Sequence, residues 1–285
     1  MRFLFIHRHR DIFAIRLMCR VLEVSASGYY DWVRRVPSHR RLDDLRLAEK
    51  IKAIHDASRR VYGTPRVHAE LRVQGEHISR RRVARLMRQQ NLQAKQKRKF
   101  RVTTDSRHNH PVAPNLLQRQ FTVAQPNTVW VADITYIHTR EGWLYLAAIM
   151  DLATRQIVGW AMDCHMPWTL VARALVMALQ RRNPPPGLIH HSDRGSQYAC
   201  GEYRKLLNEH GLVCSMSRKG DCWDNAAMES FFHSMKVERV HHCDYQSHDE
   251  AKRDLFDYIE VFYNRQRRHS HIGYKTPAEA EAFAA

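Results

Sequence analysis

No stretch of the 285 residues stays apolar for the roughly 18 to 20 positions that a membrane span requires. The opening MRFLFIHRHRD is broken by charges before it can act as the apolar segment of a secretory signal. Both absences point to a soluble, unexported, cytoplasmic chain. Cysteine is scarce and scattered: Cys19, Cys164, Cys200, Cys214, Cys222 and Cys243 form no C-x2-C pair and bring no C-x2-C…H-x3-H ligand set, which argues against structural zinc and fits a reducing cytosol. The histidine doublets His190/His191 and His241/His242 lack a spaced partner pair, and an adjacent pair cannot easily turn both rings inward. Internal repeats are absent too, beyond a likeness between two helix pairs near the start.

Negative charge is what the first part of the chain most lacks. Residues 1–120 hold 28 Lys+Arg against 10 Asp+Glu, whereas residues 121–285 hold 18 against 19. The whole net charge of +17 therefore lies in the N-terminal part. Such an excess is the electrostatic footprint of a polyphosphate partner, with affinity that falls steeply with salt. Charge alone leaves RNA, an acidic lipid surface or a merely solubilising face open.

What is present divides the chain. Apolar residues at 12–22, an EVSAS interruption and SGYYDWVRR read as two short helices about a turn. The pattern returns at 65–92, where Ser79 is a candidate N-cap for SRRRVARLMRQQ. There Val83, Leu86 and Met87 make one stripe, and Arg80, Arg81, Arg85 and Arg88 can face outward. A helix, a turn and an arginine-rich second helix is the arrangement that lets a helix enter a major groove. The run KQKRKFR and the polar, proline-bearing TTDSRHNHPVAPN that follows read as a basic linker. The expected division is thus 1–58 N-terminal helical DNA-binding region, 59–94 helix-turn-helix-like region, 95–124 basic linker, 125–240 core, and 241–285 C-terminal helix and basic tail.

From residue 127 onward the pattern is that of strands. TVWVADITYIH, LYLAAIMD and QIVGWAM predict an antiparallel meander; a helix over 168–181, the strand LIHHS, a helix near 201–210, the strand LVCSMS and a helix over 224–238 follow. A mixed α/β sheet covered by helices is the ordinary solution for that order. Asp133 interrupts an apolar strand, where Asp is depleted. Asp193 sits where a strand runs into a turn, at a sheet end where ligands gather. Glu229, His233 and Lys236 form a line beside the apolar stripe of Met228, Phe231, Phe232 and Met235. Each has a plainer reading as turn former, bulge cap or solvated charge. Three converging carboxylates would raise one another's pKa and destabilise the fold unless divalent cations sat between them, and oxygen-only ligands favour Mg²⁺ or Mn²⁺, as two ions.

The segments VADITYI, LIHHSDRGSQY and DNAAMESFFHSMKVE resemble the DDE motifs of transposases of the insertion sequence three family, second-frame (OrfB) product, which are related to retroviral integrases. The 35 residues between Asp193 and Glu229 match that family's spacing. RLMCRVLEVSASGYYDW, YGTPRVHAELRVQG and YNRQRRHSHIGYKTPAE are similar to its flanking segments, so the resemblance spans nearly the whole chain. It implies a ribonuclease-H-like integrase catalytic core behind an all-α helix-turn-helix region, with Asp133, Asp193 and Glu229 as catalytic metal ligands and Lys236 as a DNA contact. The further DNA contacts expected are Arg80, Arg81, Arg82, Arg85 and Arg88, then Lys97, Arg98 and Lys99, then Arg267 and Arg268. The implied partners are double-stranded DNA, both terminal inverted repeats and target, and further copies of the chain assembled on it, near a bacterial nucleoid. The resemblance also implies an upstream-frame product that is fused to, or acts with, a chain of this kind. A ribonuclease or resolvase on the same fold, and a repressor that holds element ends without cutting, are the alternatives.

Overall fold

The computed structural model describes residues 1–95, 112–218 and 222–284. The first three helices, α1 (Arg2–Arg8), α2 (Ile15–Val21) and α3 (Ala26–Arg34), enclose a small core of Ile6, Met18, Cys19 and Tyr29. Ser25 starts α3 by accepting the amide of Gly28 at 3.0 Å. A long helix follows, α4 (His39–Ala57), then α5 (Thr64–Val73) and α6 (Arg80–Gln89). Ser79 caps α6 as expected, accepting from Arg82 N at 3.3 Å. Leu47, Ile51 and Ile54 of α4 share one cluster with Val67 and Leu71 of α5 and Val83, Leu86 and Met87 of α6. By packing, α4 therefore goes with the second helix pair and not with residues 1–34.

The sheet has the order β3-β2-β1-β4-β5, built from β1 (Val129–Thr139), β2 (Gly142–Asp151), β3 (Ile157–Asp163), β4 (Ile189–Ser192) and β5 (Val213–Met216). β1 to β3 form the antiparallel meander, and β4 and β5 run parallel to β1. β2 is buried almost throughout its second half, because both faces of the sheet are covered. On one face lie α7 (Trp168–Arg182) and the helices α8 (Ser196–Ala199) and α9 (Gly201–Glu209), over Trp130, Ala132, Ile149 and Val158. α7 approaches β3 so closely that a Cβ on Gly159 would stand 2.2 Å from the carbonyl oxygen of Ala174. On the other face lies α10 (Ala226–Glu238), preceded by a 3-10 turn over Cys222–Asn225, with Met228, Phe231, Phe232 and Met235 on Val131, Leu146 and Met150. Asp151 closes the β2–β3 turn, fully buried, accepting the amides of Asn127 (2.6 Å), Ala153 (2.9 Å) and Thr154 (3.2 Å).

The C-terminal region departs most from the sequence expectation. α11 (His248–Phe256) continues as a π-helix over Asp257–Tyr263, and Asn264 then takes both main-chain groups of Ile157, receiving its amide at 2.9 Å and donating to its carbonyl at 3.0 Å. Residues 265–276 are a folded connection, followed by α12 (Pro277–Ala284), and not a basic tail. Arg267 and Arg268 are only 3% and 6% exposed. Arg267 grips Glu238 of α10 through Nε (2.8 Å) and Nη2 (2.6 Å), while Tyr258 donates to the same carboxylate at 2.8 Å. Arg268 pairs with Glu70 of α5 and reaches Glu279 of α12 at 3.3 Å. Tyr62 donates to the carbonyl of Gln266 at 3.0 Å, and Arg66 to that of Arg268 at 3.0 Å. The expected DNA contacts Arg267 and Arg268 are therefore corrected: both side chains are committed to acids inside the protein.

This packing sets two expectations for stability. Gly159→Ala should lower it by about 1–3 kcal/mol or more, since backbone must move to admit the methyl, and urea unfolding measures it. Arg267→Ala should cost about 3–5 kcal/mol by stranding the Glu238 charge. In Glu238→Gln/Arg267→Met, both charges are gone and much of that loss should be restored. Equal stability of parent and Arg267→Ala would refute the structural role.

Candidate active site

The parallel pairing of β1 with β4 runs Val129–Ile189, Trp130–His190, Val131–His191 and Ala132–Ser192. One step further, β4 ends and Asp133 stands opposite Asp193. Partners in register share a face, and neighbouring strands lie about 4.8 Å apart. That face is the one on which Val131 and Ile189 pack, the side covered by α10. Asn225 fixes the beginning of α10 there by donating its side-chain amide to the carbonyl of Ala132 at 3.1 Å. Glu229, one turn along, is exposed, while Asp133 and Asp193 are half-buried.

The electrostatics show that Asp133 feels both of the other acids. Burial pushes the Asp133 carboxyl well above its usual range, and the charges of Asp193 and Glu229 push it further. The Ile134 amide, donating at 2.7 Å, and the Lys236 ammonium oppose this. The part of Glu229 that lies against the protein loses some hydration, which raises its carboxyl as well. Lys236 lies 4.6 Å over the ring of Tyr136; burial lowers its pKa and Asp133 partly offsets that. The turn after β4 is shaped by Gly195, whose amide donates to Asp193 Oδ1 at 2.9 Å and where a Cβ would stand 3.0 Å from that oxygen. Arg194 donates to the carbonyl of Ser217 at 2.6 Å. The oxygens of the three acids do not all fall within 4.8 Å of one another; among the described residues Asp163, Cys164 and His165, at the end of β3, do.

Sequence reasoning missed Asp224. It is fully buried and accepts from Asn115 Nδ2 (2.8 Å), Arg119 Nε (3.1 Å), the Arg218 amide (2.9 Å) and the Arg218 guanidinium (3.1 Å). The Arg218 guanidinium above all holds its carboxyl far below the usual range, against burial. Asp224 thus binds residues 115–119 and the segment after β5 to the start of α10, next to the Asn225 anchor. An Asp-Asn pair ahead of an amphipathic helix is the available signal, and it reads as a cap. His190 and His191 correct a second expectation. In a strand covered on both faces, adjacent rings both turn inward: His190 meets Tyr203 Oη at 3.1 Å, and His191 meets Ser215 and Ser217 at 2.9 and 3.2 Å. Burial pushes them down to about 3 and about 4, so both are neutral at pH 7.

Of the arginines on α6, Arg80, Arg81 and Arg88 are exposed. Arg82 instead pairs with Asp43 and Asp44 of α4, at 2.8 Å each, and Arg85 with Asp44 at 2.6 Å. These two lock α6 to α4, so their guanidinium groups are already engaged. Lys97, Arg98 and Lys99 lie outside the described residues.

Comparison with known proteins gives family matches over the helical region and over the core. An integrase core domain family matches residues 123–222, a second integrase core domain family matches 229–281, and an HTH-like domain family matches 42–100. The chain is 53% identical over 261 residues to the insertion element IS600 uncharacterized 31 kDa protein of Shigella sonnei, covering 92% of this chain and 96% of that one. It is 44% identical over 283 residues to transposase InsF for insertion sequence IS3A of Escherichia coli K12, covering 99% and 98%. Among solved structures, the simian T-cell lymphotropic virus intasome aligns over 60% of this chain and 59% of that one, with 14% identity and a TM-score of 0.48. With a transposase this similar along nearly its whole length, the chain belongs to the IS3 family of insertion-sequence transposases.

Proposed function

We propose that the chain cuts DNA at the ends of an insertion sequence and joins the freed 3′-hydroxyl to another strand, with Asp133, Asp193 and Glu229 as the catalytic residues and ligands of divalent metal. The observation behind this is the β1–β4 register, which sets Asp133 opposite Asp193 on the face where the charge of Glu229 is felt. The donors fit a hard cation: they are oxygen-only, and burial, together with the acidic neighbours, disfavours the anionic form of Asp133 until a positive charge offsets both. Mg²⁺ or Mn²⁺ bound there, as a pair of ions, would activate the attacking oxygen and neutralise the leaving one.

The protein's own part is positioning. The rigid sheet holds two ligands, and α10, pinned by Asn225, presents the third at its exposed margin. Lys236, two turns beyond Glu229, sets a positive charge beside Asp133, where a strand phosphate can be oriented. The order of events is hydrolysis, in which water attacks the phosphodiester and the 3′-oxygen leaves, and then transesterification by that 3′-hydroxyl. Bond energy is conserved in the exchange, so no nucleoside triphosphate is consumed. Exposed Arg80, Arg81 and Arg88 of the HTH-like region present positive charge to the DNA backbone, and further copies of the chain complete the assembly on the two element ends.

Asp133→Asn, Asp193→Asn and Glu229→Gln should each reduce Mg²⁺-dependent nicking and strand joining to background. End binding should persist or tighten slightly, because phosphate meets less negative charge. Stability without metal should hold or rise, and the Mg²⁺-induced gain in melting temperature should shrink. Parental cutting by all three variants would show the triad misassigned; a parent that binds ends yet never cuts would favour the repressor alternative.

Replacing Arg80, Arg81 and Arg88 together by Ala should flatten the dependence of DNA affinity on salt, by about 0.9 in log–log slope for each phosphate that the variant leaves unneutralised. Melting temperature should stay near that of the parent. Arg82→Ala should do the reverse, loosening α4 from α6, and a melt beside a salt titration separates the two outcomes.

A further inference from the structure

α10 has three faces. Met228, Phe231, Phe232 and Met235 enter the core; Glu229, His233 and Lys236 form the catalytic margin; Ser230 and Ser234 look onto a third space. That space is a cavity of about 290 Å³ between α10, the β2–β3 turn and the C-terminal connection. Arg66, Arg155 and Arg267 line it, together with the hydroxyls of Ser230, Ser234 and Ser270, and no carboxylate among the described residues does. Glu238, behind Arg267 and 3.6 Å from Arg66, offsets one of the three guanidinium charges. Two remain. Ser230, Ser270 and His271 are exposed, so the mouth opens to solvent.

Arg155 is the unusual member. It is 8% exposed and sits at a left-handed φ of 62°, which a non-glycine residue adopts at a cost. Its Nη2 donates to the Phe121 carbonyl at 3.0 Å and to His271 Nε2 at 2.6 Å, but its Nε has no partner. Among the described residues no carboxylate lies within ion-pair distance. The nearby Asp151 spends its oxygens on the amides of the turn and on Trp130 Nε1 at 3.3 Å. Burying a guanidinium without an anion is expensive, and so is leaving one of its donors unmet. Hydroxyls and guanidinium forks around one small space, with the positive end of α10 contributing Ala226 and Ala227 to its wall, make a recognition chemistry for a tetrahedral oxyanion.

We propose that this cavity is a phosphate-binding pocket, separate from the catalytic margin of α10, that takes a phosphoryl group between Arg155, Arg66 and the serine hydroxyls. The group comes either from the DNA backbone or from free phosphate. The pocket is independent of the metal assignment: Asp133→Asn should leave phosphate binding intact even where cutting is abolished.

The full chain is titrated with inorganic phosphate, with KCl holding ionic strength constant, and its melting temperature is followed. The parent should gain stability with phosphate beyond any effect of chloride. Ser270→Asp places a carboxylate at the exposed mouth, where folding should not suffer, and should weaken phosphate affinity about ten-fold or more by like-charge opposition. Arg155→Gln should do the same where it folds. Fluorescent duplex binding then separates the sources. If the pocket takes a backbone phosphate, inorganic phosphate competes with duplex beyond the effect of chloride, and Ser270→Asp weakens duplex binding and removes that competition. If it takes free phosphate, duplex affinity is the same in parent and variant. A parent that responds to phosphate no more than to chloride, or a Ser270→Asp variant with parental phosphate affinity, overturns the proposal.

Discussion

Four residues of parallel pairing, Val129–Ala132 against Ile189–Ser192, set the arrangement on which everything else at the site depends. Because side chains alternate along a strand, a slip of one residue would send Asp133 and Asp193 to opposite faces of the sheet. The register is held by what lies on either side. Trp130 and Ala132 face one cluster and Val131 the other, so a slipped strand would carry its side chains to the wrong core. Asn225 adds a constraint from α10 by bonding to the carbonyl of the residue just before Asp133. Apolar packing thus fixes the position of charges that would otherwise repel one another apart.

The helical region and the sheet are joined through polar contacts as well as a shared apolar cluster. Glu238 receives Arg267 and Tyr258, and the same connection carries Arg268 to Glu70 and hydrogen bonds to Tyr62 and Arg66. Buried ion pairs contribute little net stability, because desolvation offsets their attraction, but a partner left alone is costly. Their effect here is on alignment: the end of the helix that bears Glu229 is held to the same residues that hold α5.

The strands and helices of the core are legible because their burial leaves a mark on composition: β-branched and aromatic runs for the strands, a 3.6-residue stripe for α10. Asp133 stands out because an acid in an apolar strand is costly, yet its grouping with Asp193 and Glu229 comes from resemblance, since spacing cannot show which strands pair. Arg267 and Arg268 mislead for a related reason. A basic cluster looks like a nucleic-acid surface until Glu238, 29 positions away, and Glu70, 198 away, are seen beside it. His190 and His191 invite a reading as metal ligands, when the period-two geometry of a strand covered on both sides is enough to bury both. Asp224 hides as a helix cap: Arg218, six residues before it, reads as one more exposed base, and Arg119, 105 residues away, is brought near only by the tertiary fold.

Asn264 occupies both main-chain groups of Ile157, at one border of the sheet, and at the opposite border the Met216 amide donates to the carbonyl of Pro114 at 3.3 Å, beside the Leu116 amide that the Ser215 side-chain hydroxyl receives at 2.9 Å. Unpaired border strands invite another chain to continue the ladder, as happens in aggregation and domain swapping. Here both borders are partly taken by the chain itself. A neighbouring copy of the chain would find those ladder groups already occupied, which disfavours continuing one sheet into the next.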